Sequence, residues 1–218
     1  MRIGTNTAAM NTYSNLKSAN ASKAGSLAKL SSGLRINKAG DDAAGLSISE
    51  KMKNQISGLS QASRNAQDGI SLIQTAEGGL SETHSILNRM RDLSVQASNE
   101  TNSTEDLKAI DSEMTSLPTE IDSLAITIKI TGKALLLDKK AATEEVRKFV
   151  LQIGANTADE DAMTITIADM DKVGLGIDAL EDIITDPAAA NANALLNVDS
   201  IDAAIELVSA QRTSLGAN

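Results

Sequence analysis

The sequence ISGLSQASRNAQDGISLIQTAEGGLSETHSILNRMRDLSVQA, residues 56–97, decides the fold class because its apolar and small residues recur at steps of three and four. These residues are Ile56, Leu59, Ala62, Ala66, Ile70, Ile73, Ala76, Leu80, Leu87, Met90, Leu93 and Ala97, with Thr83 in the one longer gap. Such a heptad seam is typical of a helix that packs along other helices. It predicts one helix over about residues 43–97, roughly 80 Å long at 1.5 Å per residue.

A second seam follows the turn SNETNSTEDL, residues 98–107. Its members are Leu107, Ile110, Met114, Leu117, Ile121 and Leu124. Ser103 or Thr104 is expected to cap this helix, because short hydroxyl side chains accept hydrogen bonds from free backbone N–H groups. Pro118 removes one helical hydrogen bond and crowds the preceding turn, so a kink or break is expected near Ser116.

The glycines of the long helix, Gly58, Gly69, Gly78 and Gly79, each cost about 1 kcal/mol relative to alanine. Their recurrence therefore indicates close packing against other helices. Residues 5–32 carry only a sparse apolar stripe among Ser, Thr and Asn, which are mediocre helix formers. This segment is expected to become ordered against partners.

The stretch LSSGLRINKAGDDAAGLSIS, residues 30–49, interrupts the helical pattern and is predicted to be a joint between the N-terminal segment and the long helix. The candidate joint residues are Gly33, Arg35, Asn37, Gly40, Asp41, Asp42 and Gly45. Glycine allows a sharp turn, and Asp41 or Asp42 is expected to cap the long helix. Arg35 and Lys38 are expected to meet acidic groups on neighbours.

The middle of the chain has a different pattern, with short alternating β-branched runs that read as strands. These runs are residues 125–130, 149–156 and 163–170, the last two forming a hairpin across TADEDA. Residues 141–149 read as a short helix or turn, and residues 186–194 as a linker. A helix is predicted to follow with Asp199 or Ser200 as its cap and a seam at Ile201, Ala204 or Ile205, Val208 and Leu215.

Composition excludes several functions. The chain has no cysteine, so disulfides and thiolate chemistry are excluded, and its only aromatic residues are Tyr13 and Phe149, so its core must be aliphatic. A formal net charge of −9 argues against nucleic-acid partners, which require clustered cations. No apolar run is long enough to span a membrane, and the N-terminus does not look like a cleaved signal peptide.

No catalytic, cofactor or metal site emerges from the motifs. GLGIDA, residues 174–179, fits a dinucleotide fingerprint formally but lacks the βαβ context that the fingerprint needs. His84 is the only histidine and falls on the predicted solvent side of the long helix. The acidic run at residues 159–162 lacks the spacing of an EF-hand loop and is interpreted as a hairpin tip. We therefore expect no enzyme and no cofactor.

Four long motifs resemble bacterial flagellin. They are RIGTNTAAMNT (2–12), LSSGLRINKAGDDAAGLSISEKM (30–52), ASRNAQDGISLIQTAEGGLSETHSILNRMRDLSVQASN (62–99) and IDAAIELVSAQRTSLGA (201–217). The resemblance implies a self-assembling, extracellular subunit of the flagellar filament that is exported through the flagellum's own channel without a cleaved signal peptide. Other flagellin subunits, an export chaperone and the filament cap are the implied partners. The implied fold is a mainly α, elongated antiparallel bundle or coiled coil with a β-hairpin region.

The resemblance also implies a domain plan: a core-forming arm and joint at 1–42, rod helices at 43–130, a variable hairpin region and linker at 131–198, and the start of a C-terminal rod helix at 199–218. In the family this last helix continues into terminal helices that pair with the N-terminal segment. We therefore expect the partner of residues 5–32 to lie outside this sequence. Residues 123–149 also differ from the segment that usually leads into the family's hairpin.

The family's patch for an animal innate immune receptor corresponds to NRMRDLSVQ, residues 88–96. Arg89 and Leu93 are the candidates there, with Glu113 beside them on the second helix. The same polar residues could instead be solvated or in contact with other subunits. The alternative functions are a hook-filament junction protein or a ligand-binding surface homologue, and the QIGAN motif at 152–156 favours the filament subunit.

Overall fold

The computed structural model describes residues 6–137, 147–180 and 190–217. Its elements are α1 (Thr7–Ser32), α2 (Ala43–Ala97), α3 (Thr104–Thr127), β1 (Lys129–Ile130), β2 (Lys133–Ala134), β3 (Arg147–Gln152), a 3-10 turn (Asp159–Asp161), β4 (Ala162–Ile167) and α4 (Ala190–Ala217). The strands form two antiparallel pairs, β1–β2 and β3–β4. The prediction of a mainly helical chain with a small β-rich part is confirmed. The chain divides into two compact units, residues 1–59 and 60–218.

The first unit holds α1, the joint and the beginning of α2. The Asn6 side chain caps α1 by accepting a hydrogen bond from the Ala9 N–H at 3.2 Å. The helix ends at Gly33, whose φ of 67° is a conformation that glycine adopts without strain. None of the residues of α1 is buried. Tertiary packing within this unit therefore does not account for the stability of α1.

In the second unit α3 and α4 both run antiparallel to α2, as the contacts between them show. Arg89 of α2 pairs with Glu113 of α3 near one end, and Gly79 of α2 faces Ile128 just beyond the other end of α3. Arg91 pairs with Asp202 and Glu77 pairs with Arg212. Later residues of α4 thus contact earlier residues of α2, so these two helices are also antiparallel. The predicted antiparallel pairing of the long helix and the second helix is confirmed.

The seam of α2 is mostly as predicted, from Ala76 to Ala97, but it differs at its N-terminal part. Ile70 is 55% exposed whereas Leu72 is only 6% exposed, and Ile56 and Leu59 are also exposed. Gly69 is buried because the Leu151 side chain of β3 lies where a Cβ would be. Strand β3 therefore covers α2 around Gly69. Because a strand packs there, the buried face of α2 differs from the face that the helical seam predicts.

Two helical glycines make the close contacts that were expected, but their partners are not helices. Gly69 faces Leu151 on a strand, and Gly79 faces Ile128 and Leu136 in the connection after α3. Gly78 has open space around its Cβ position. Close approach thus explains two of these glycines, and it does not explain Gly78.

Helix α3 is capped as predicted by Ser103, whose hydroxyl accepts a hydrogen bond from the Asp106 N–H while the Asp106 carboxylate reaches back to the Ser103 N–H. The expected break at Pro118 is wrong, because α3 is one helix through Thr127. The strand predicted at 125–130 is therefore wrong for 125–127. Ala125 is buried in the helical core, and this packing overrides the local β-propensity.

The hairpin between β3 and β4 is confirmed, with Phe149 opposite Ile165 and Leu151 opposite Met163. Side chains alternate along β3, so Phe149 and Leu151 face inward while Val150 is exposed. β3 begins at Arg147, so the helix or turn predicted for 141–149 is wrong at 147–149, and 141–146 lie outside the described residues. A second, tighter hairpin joins β1 and β2 through Thr131 and Gly132.

Helix α4 begins at Ala190, before the predicted caps Asp199 and Ser200. The linker prediction is wrong for residues 190–194, and residues 186–189 lie outside the described residues. The buried positions form a heptad seam: Ala194, Asn197, Ile201, Ala204, Val208 and Leu215. Gln211 occupies the remaining seam position, where its amide bonds Thr166 O at 2.9 Å and the Ala168 N–H at 3.3 Å. This amide ties the end of β4 to α4.

Candidate functional site

The predicted contact patch contains a two-pronged ion pair between α2 and α3. Arg89 donates from Nε to Glu113 Oε1 at 2.7 Å and from Nη2 to Oε2 at 3.0 Å. The hydrogen bond from Arg89 lowers the pKa of Glu113, and the same contact raises the pKa of Arg89. Both groups therefore stay charged at neutral pH and present a fixed, planar polar feature on the surface.

Leu93, the third predicted patch residue, is 2% exposed and lies in the core cluster. The structure thus brings Arg89 and Glu113 together on the surface but places Leu93 beneath it. Its own membership of the α2 seam already indicated burial. Any contribution of Leu93 to a contact is indirect, through the packing that holds the helices that carry the pair.

Further ion pairs tie the second unit together. Arg91 donates to Asp202 Oδ1 at 2.6 Å, and this hydrogen bond raises the pKa of Arg91. Lys172 lies 3.2 Å from Asp178 and 3.7 Å from Asp122, and the bond to Asp178 raises its pKa. A protonated, paired lysine is a poor nucleophile, so this cluster is suited to holding the loop after β4 against α3.

The joint is organised by two adjacent carboxylates with separate tasks. Asp42 caps α2, accepting a hydrogen bond from the Gly45 N–H at 2.9 Å, as predicted. Asp41 instead holds the loop, because its Oδ2 accepts from the N–H groups of Asn37 and Lys38, each at 3.2 Å. These backbone hydrogen bonds lower the pKa of Asp41.

The cation that reaches Asp41 is Lys29 on α1, at 3.5 Å. No sequence pattern singles out this lysine as the partner. Arg35 and Lys38 are exposed. Gly33 has a positive φ, whereas Gly45 is crowded by the Asp42 and Ile36 side chains, and Gly40 has open space around it. Each joint glycine therefore has its own role, and only Gly33 needs the left-handed conformation.

The other motifs do not build a reaction site. Residues 174–179 form turns after β4, in an antiparallel context that does not suit a dinucleotide. His84 is half-buried, which corrects the predicted solvent position, and its Nδ1 is shielded without a hydrogen bond among the described residues. Within the same described ranges no group of three or more potential ligands could hold a metal ion.

Asp161 at the predicted hairpin tip is used structurally, since its carboxylate accepts a hydrogen bond from the Asn156 N–H at 2.9 Å. Across the part of the chain that the structure describes, no helix combines the length and apolarity needed to cross a membrane. The features that stand out are helix surfaces, interhelical ion pairs and a joint. They define a structural protein built for contacts between helices.

Comparison with known proteins narrows this class to a family. The bacterial flagellin N-terminal helical region matches residues 3–141. Flagellin of Bacillus subtilis (strain 168) is 44% identical over all of this chain and 78% of that protein. Flagellin of Halalkalibacterium halodurans is 47% identical over all of this chain and 75% of its own length. The chain belongs to the bacterial flagellin family and is a structural subunit of the extracellular flagellar filament.

Solved structures agree with this assignment. The crystal structure of Bacillus cereus flagellin superposes with a TM-score of 0.57 at 30% identity, covering 71% of this chain and 81% of that one. A putative flagellar hook-associated protein from Vibrio parahaemolyticus has a TM-score of 0.62, covering 83% of this chain and 88% of its own. Its 16% identity shows a shared fold alone.

Proposed function

We propose that copies of this chain polymerise with other flagellin subunits by burying the exposed apolar faces of α1 and of the first part of α2, and that the polymer serves motility. The observation that carries this proposal is a set of large apolar side chains left in solvent: Met10, Tyr13, Leu16, Leu27, Leu30, Ile48, Met52, Ile56 and Leu59. Large apolar side chains that recur in this number along exposed helices are unusual on monomeric proteins and indicate interaction sites.

The energetics favour burial in a partner. Fully burying one large aliphatic side chain stabilises a complex by about 1.5–3 kcal/mol. A helix without a buried face depends mostly on weak intrinsic propensity, which leaves isolated helices marginal in water. α1 has no buried residue, so its exposed apolar residues are available to drive association and to stabilise the helix at the same time.

Seeded polymerisation of the full-length protein tests this proposal. We expect filament fragments to convert monomer into sedimentable polymer, and Ile56→Ser to slow the conversion. Gln55→Ser is the matched control, because Gln55 is the exposed polar neighbour on the same helix. Wild-type protein that stays monomeric in the presence of seeds would overturn the proposal.

The main alternative is a hook-filament junction protein. The identities of 44% and 47% to flagellins, over all of this chain, favour the filament subunit, while the hook-associated neighbour carries information on fold alone. Deletion of the gene separates the two functions. Loss of every filament despite abundant production of another flagellin would indicate a junction protein.

We also propose that Arg89 and Glu113 belong to a surface that an animal innate immune receptor recognises, with Leu93 supporting it from below. The proposal rests on the family resemblance and is supported by the exposed, fixed geometry of the ion pair. Receptor-reporter cells should respond less to Arg89→Ala than to Arg64→Ala, which removes the same charge elsewhere on α2. Equal responses would argue against the patch.

Export through the flagellar channel without a cleaved signal peptide, with the help of a chaperone and the filament cap, is part of the same proposal. Its support is the family resemblance. Sequencing the N-terminus of the exported protein tests it, because uncleaved protein must have the same N-terminus as the protein before export. A shorter N-terminus would contradict this route.

A further inference from the structure

Apart from the partly buried Met163, the methionines that the structure describes fall into two groups of very different exposure. Met10 and Met52 are 59% and 58% exposed, whereas Met90, Met114 and Met170 are 0%, 5% and 3% exposed. A long, flexible apolar side chain that is more than half exposed on a regular helix is not needed for the packing of its own unit. The two exposed thioethers are also open to reagents in water.

Both exposed methionines lie within the apolar faces that assembly is proposed to bury. Met52 is the second member of the run Ile48, Met52, Ile56, Leu59, whose steps of four, four and three keep it on one face of α2. Met10 begins the corresponding run on α1, three residues before Tyr13. Chemical change at either sulfur would therefore alter one of these faces directly.

We propose that Met10 and Met52 are oxidation sites at which a peroxide converts the thioether to a sulfoxide and thereby blocks assembly. The proposal rests on the function proposed above, in which these two faces become buried. In the reaction the sulfur gives up two electrons and forms a bond to one peroxide oxygen. The O–O bond breaks, and the other oxygen leaves as water, so hydrogen peroxide is the two-electron acceptor.

The physical effect follows from the polarity of the product. A sulfoxide oxygen is a strong hydrogen-bond acceptor that water satisfies on the exposed monomer. Burying it against apolar side chains removes that water without supplying a donor, which is unfavourable. Oxidation thus leaves the monomer little changed and weakens the assembled state selectively. Sulfoxide reductases can reverse the change, so the sites can act as a reversible switch.

The first test measures which sulfurs react. The folded full-length monomer is treated with hydrogen peroxide, quenched at intervals, digested and analysed by mass spectrometry. Met10 and Met52 should gain oxygen on the order of tenfold faster than Met90 and Met114, because susceptibility follows exposure. Similar rates at all four positions would overturn the proposal, since the exposed pair would then have no special reactivity.

The second test links the chemistry to assembly in four samples after removal of peroxide: untreated protein, treated protein, treated protein repaired with sulfoxide reductases, and treated protein carrying Met10→Leu and Met52→Leu. Leucine keeps the volume and apolarity of methionine but cannot be oxidised. Seeded polymerisation should fall at least several-fold in the treated sample, and repair and the double substitution should restore it.

The two proposals fail in different samples. If untreated protein does not polymerise, the proposed function fails, and this inference fails with it. If untreated protein polymerises and oxidised protein polymerises equally well, only the inference is overturned. A double variant that loses assembly when oxidised also overturns it, because the damage would then lie elsewhere. Each single leucine variant, assayed untreated, checks that the substitutions themselves preserve assembly.

Discussion

The guanidinium of Arg89 holds the carboxylate of Glu113 with two hydrogen bonds, of 2.7 and 3.0 Å, across the interface of α2 and α3. The side chains are 53% and 42% exposed, so solvent screens the attraction and the pair adds little to stability. Its main consequence is geometric, because a guanidinium and a carboxylate fit each other in one plane. Arg89→Lys would keep the charge and lose that fit.

A pH dependence follows for Glu113→Gln. Because Arg89 lowers the pKa of Glu113, the pair stabilises the fold fully above the unfolded glutamate pKa of about 4.3. This stabilisation is lost as the pH falls through the lower folded pKa. Arg89 has a raised pKa and stays charged throughout, so it adds no pH dependence in this range.

Urea denaturation at neutral pH and at acidic pH measures the effect. We expect a small loss of stability in Glu113→Gln at neutral pH, shrinking as the medium is acidified below about pH 4. Glu100→Gln is a control, since Glu100 lies exposed in the turn between α2 and α3. A difference from wild type that is the same at both pH values would contradict the prediction.

The two carboxylates of the joint predict two separable local effects. Asp42→Ala removes the cap of α2, which typically costs about 1 kcal/mol, and should speed amide hydrogen exchange in the first turn, including the Gly45 N–H. Asp41→Asn should instead speed exchange at Asn37 and Lys38, because a neutral amide oxygen accepts their hydrogen bonds more weakly.

Acidification of the wild-type protein should reproduce the effect of Asp41→Asn on exchange at Asn37 and Lys38. The pKa of Asp41 is lowered, so its contribution is complete above the ordinary aspartate pKa of about 3.9 and is lost as the pH falls through the lower folded value. Loss of protection at Asn37 well above that pH would show that the Asp41 carboxylate does not hold the loop.

The adjacent glycines of α2 should respond in opposite directions to the same substitution. Gly78 has open space at its Cβ position, so Gly78→Ala should stabilise the protein by up to about 1 kcal/mol through helix propensity. At Gly79 a new Cβ would collide with the Ile128 and Leu136 side chains. Overpacking costs about 1–3 kcal/mol, so Gly79→Ala should be destabilising overall.

Thermal or urea denaturation measures the stability of Gly78→Ala and Gly79→Ala, and each variant is the control for the other. Equal stabilisation by both substitutions would mean that Ile128 and Leu136 move aside freely. The close packing at Gly79 would then contribute nothing measurable to the free energy of unfolding.

The sequence predicts those features whose cause is local, and it misses those that a distant residue imposes. The extent of α2 follows from its own periodicity. The caps Asp42 and Ser103 follow from side chains that accept hydrogen bonds from backbone N–H groups only three residues further along the chain. The exchange of Ile70 for Leu72 on the buried face depends on Leu151, far along the chain. No pattern within α2 could have indicated a strand above Gly69.

Competing signals explain the remaining differences. Residues 125–127 carry β-branched neighbours, yet the buried Ala125 continues the helical seam of α3. The alanine- and asparagine-rich start of α4 reads as low complexity, although Ala194 and Asn197 already begin its heptad seam. At the candidate patch, Glu113 lies beside Arg89, as expected from the resemblance, whereas Leu93 is buried, as its position in the α2 seam indicates.

The β1–β2 turn contains a correctable strain. Thr131 and Gly132 have φ values of 48° and 81°, and positive φ at both central positions is the signature of a type I′ turn. A β-branched residue is disfavoured there, while asparagine tolerates it. Thr131→Asn should therefore raise the free energy of unfolding by roughly 0.5–1 kcal/mol.

The neighbouring glycine supplies the matched control. Gly132→Ala should lower stability, because alanine is strained at positive φ even though the space around it is open. Denaturation midpoints of the two variants should therefore move in opposite directions. A stabilising Gly132→Ala would show that the turn relaxes to another type in solution.

Pro118 lies inside α3, so replacing it tests how much stability the helix loses to this proline. α3 continues through this proline to Thr127, although proline has no N–H to donate to the Met114 carbonyl and crowds it. Pro118→Ala should restore that hydrogen bond and relieve the crowding, a gain of up to about 3 kcal/mol.

Two effects oppose this gain. The freer unfolded chain of the alanine variant costs about 0.4–1 kcal/mol, and removing the ring enlarges a groove of about 420 Å³ that Pro118 lines together with Met114 and Thr115. Pro118 is only half-buried, so the lost packing is modest. The gain from the restored hydrogen bond and the relieved crowding is therefore larger than the two opposing effects. Pro118→Ala should raise the free energy of unfolding by about 1–2 kcal/mol. Thr119→Ala changes an exposed residue that lines the same groove, and it should change stability little in the same urea titration. A Pro118→Ala variant no more stable than wild type would mean that the ring's contacts in the groove match the cost of the missing hydrogen bond.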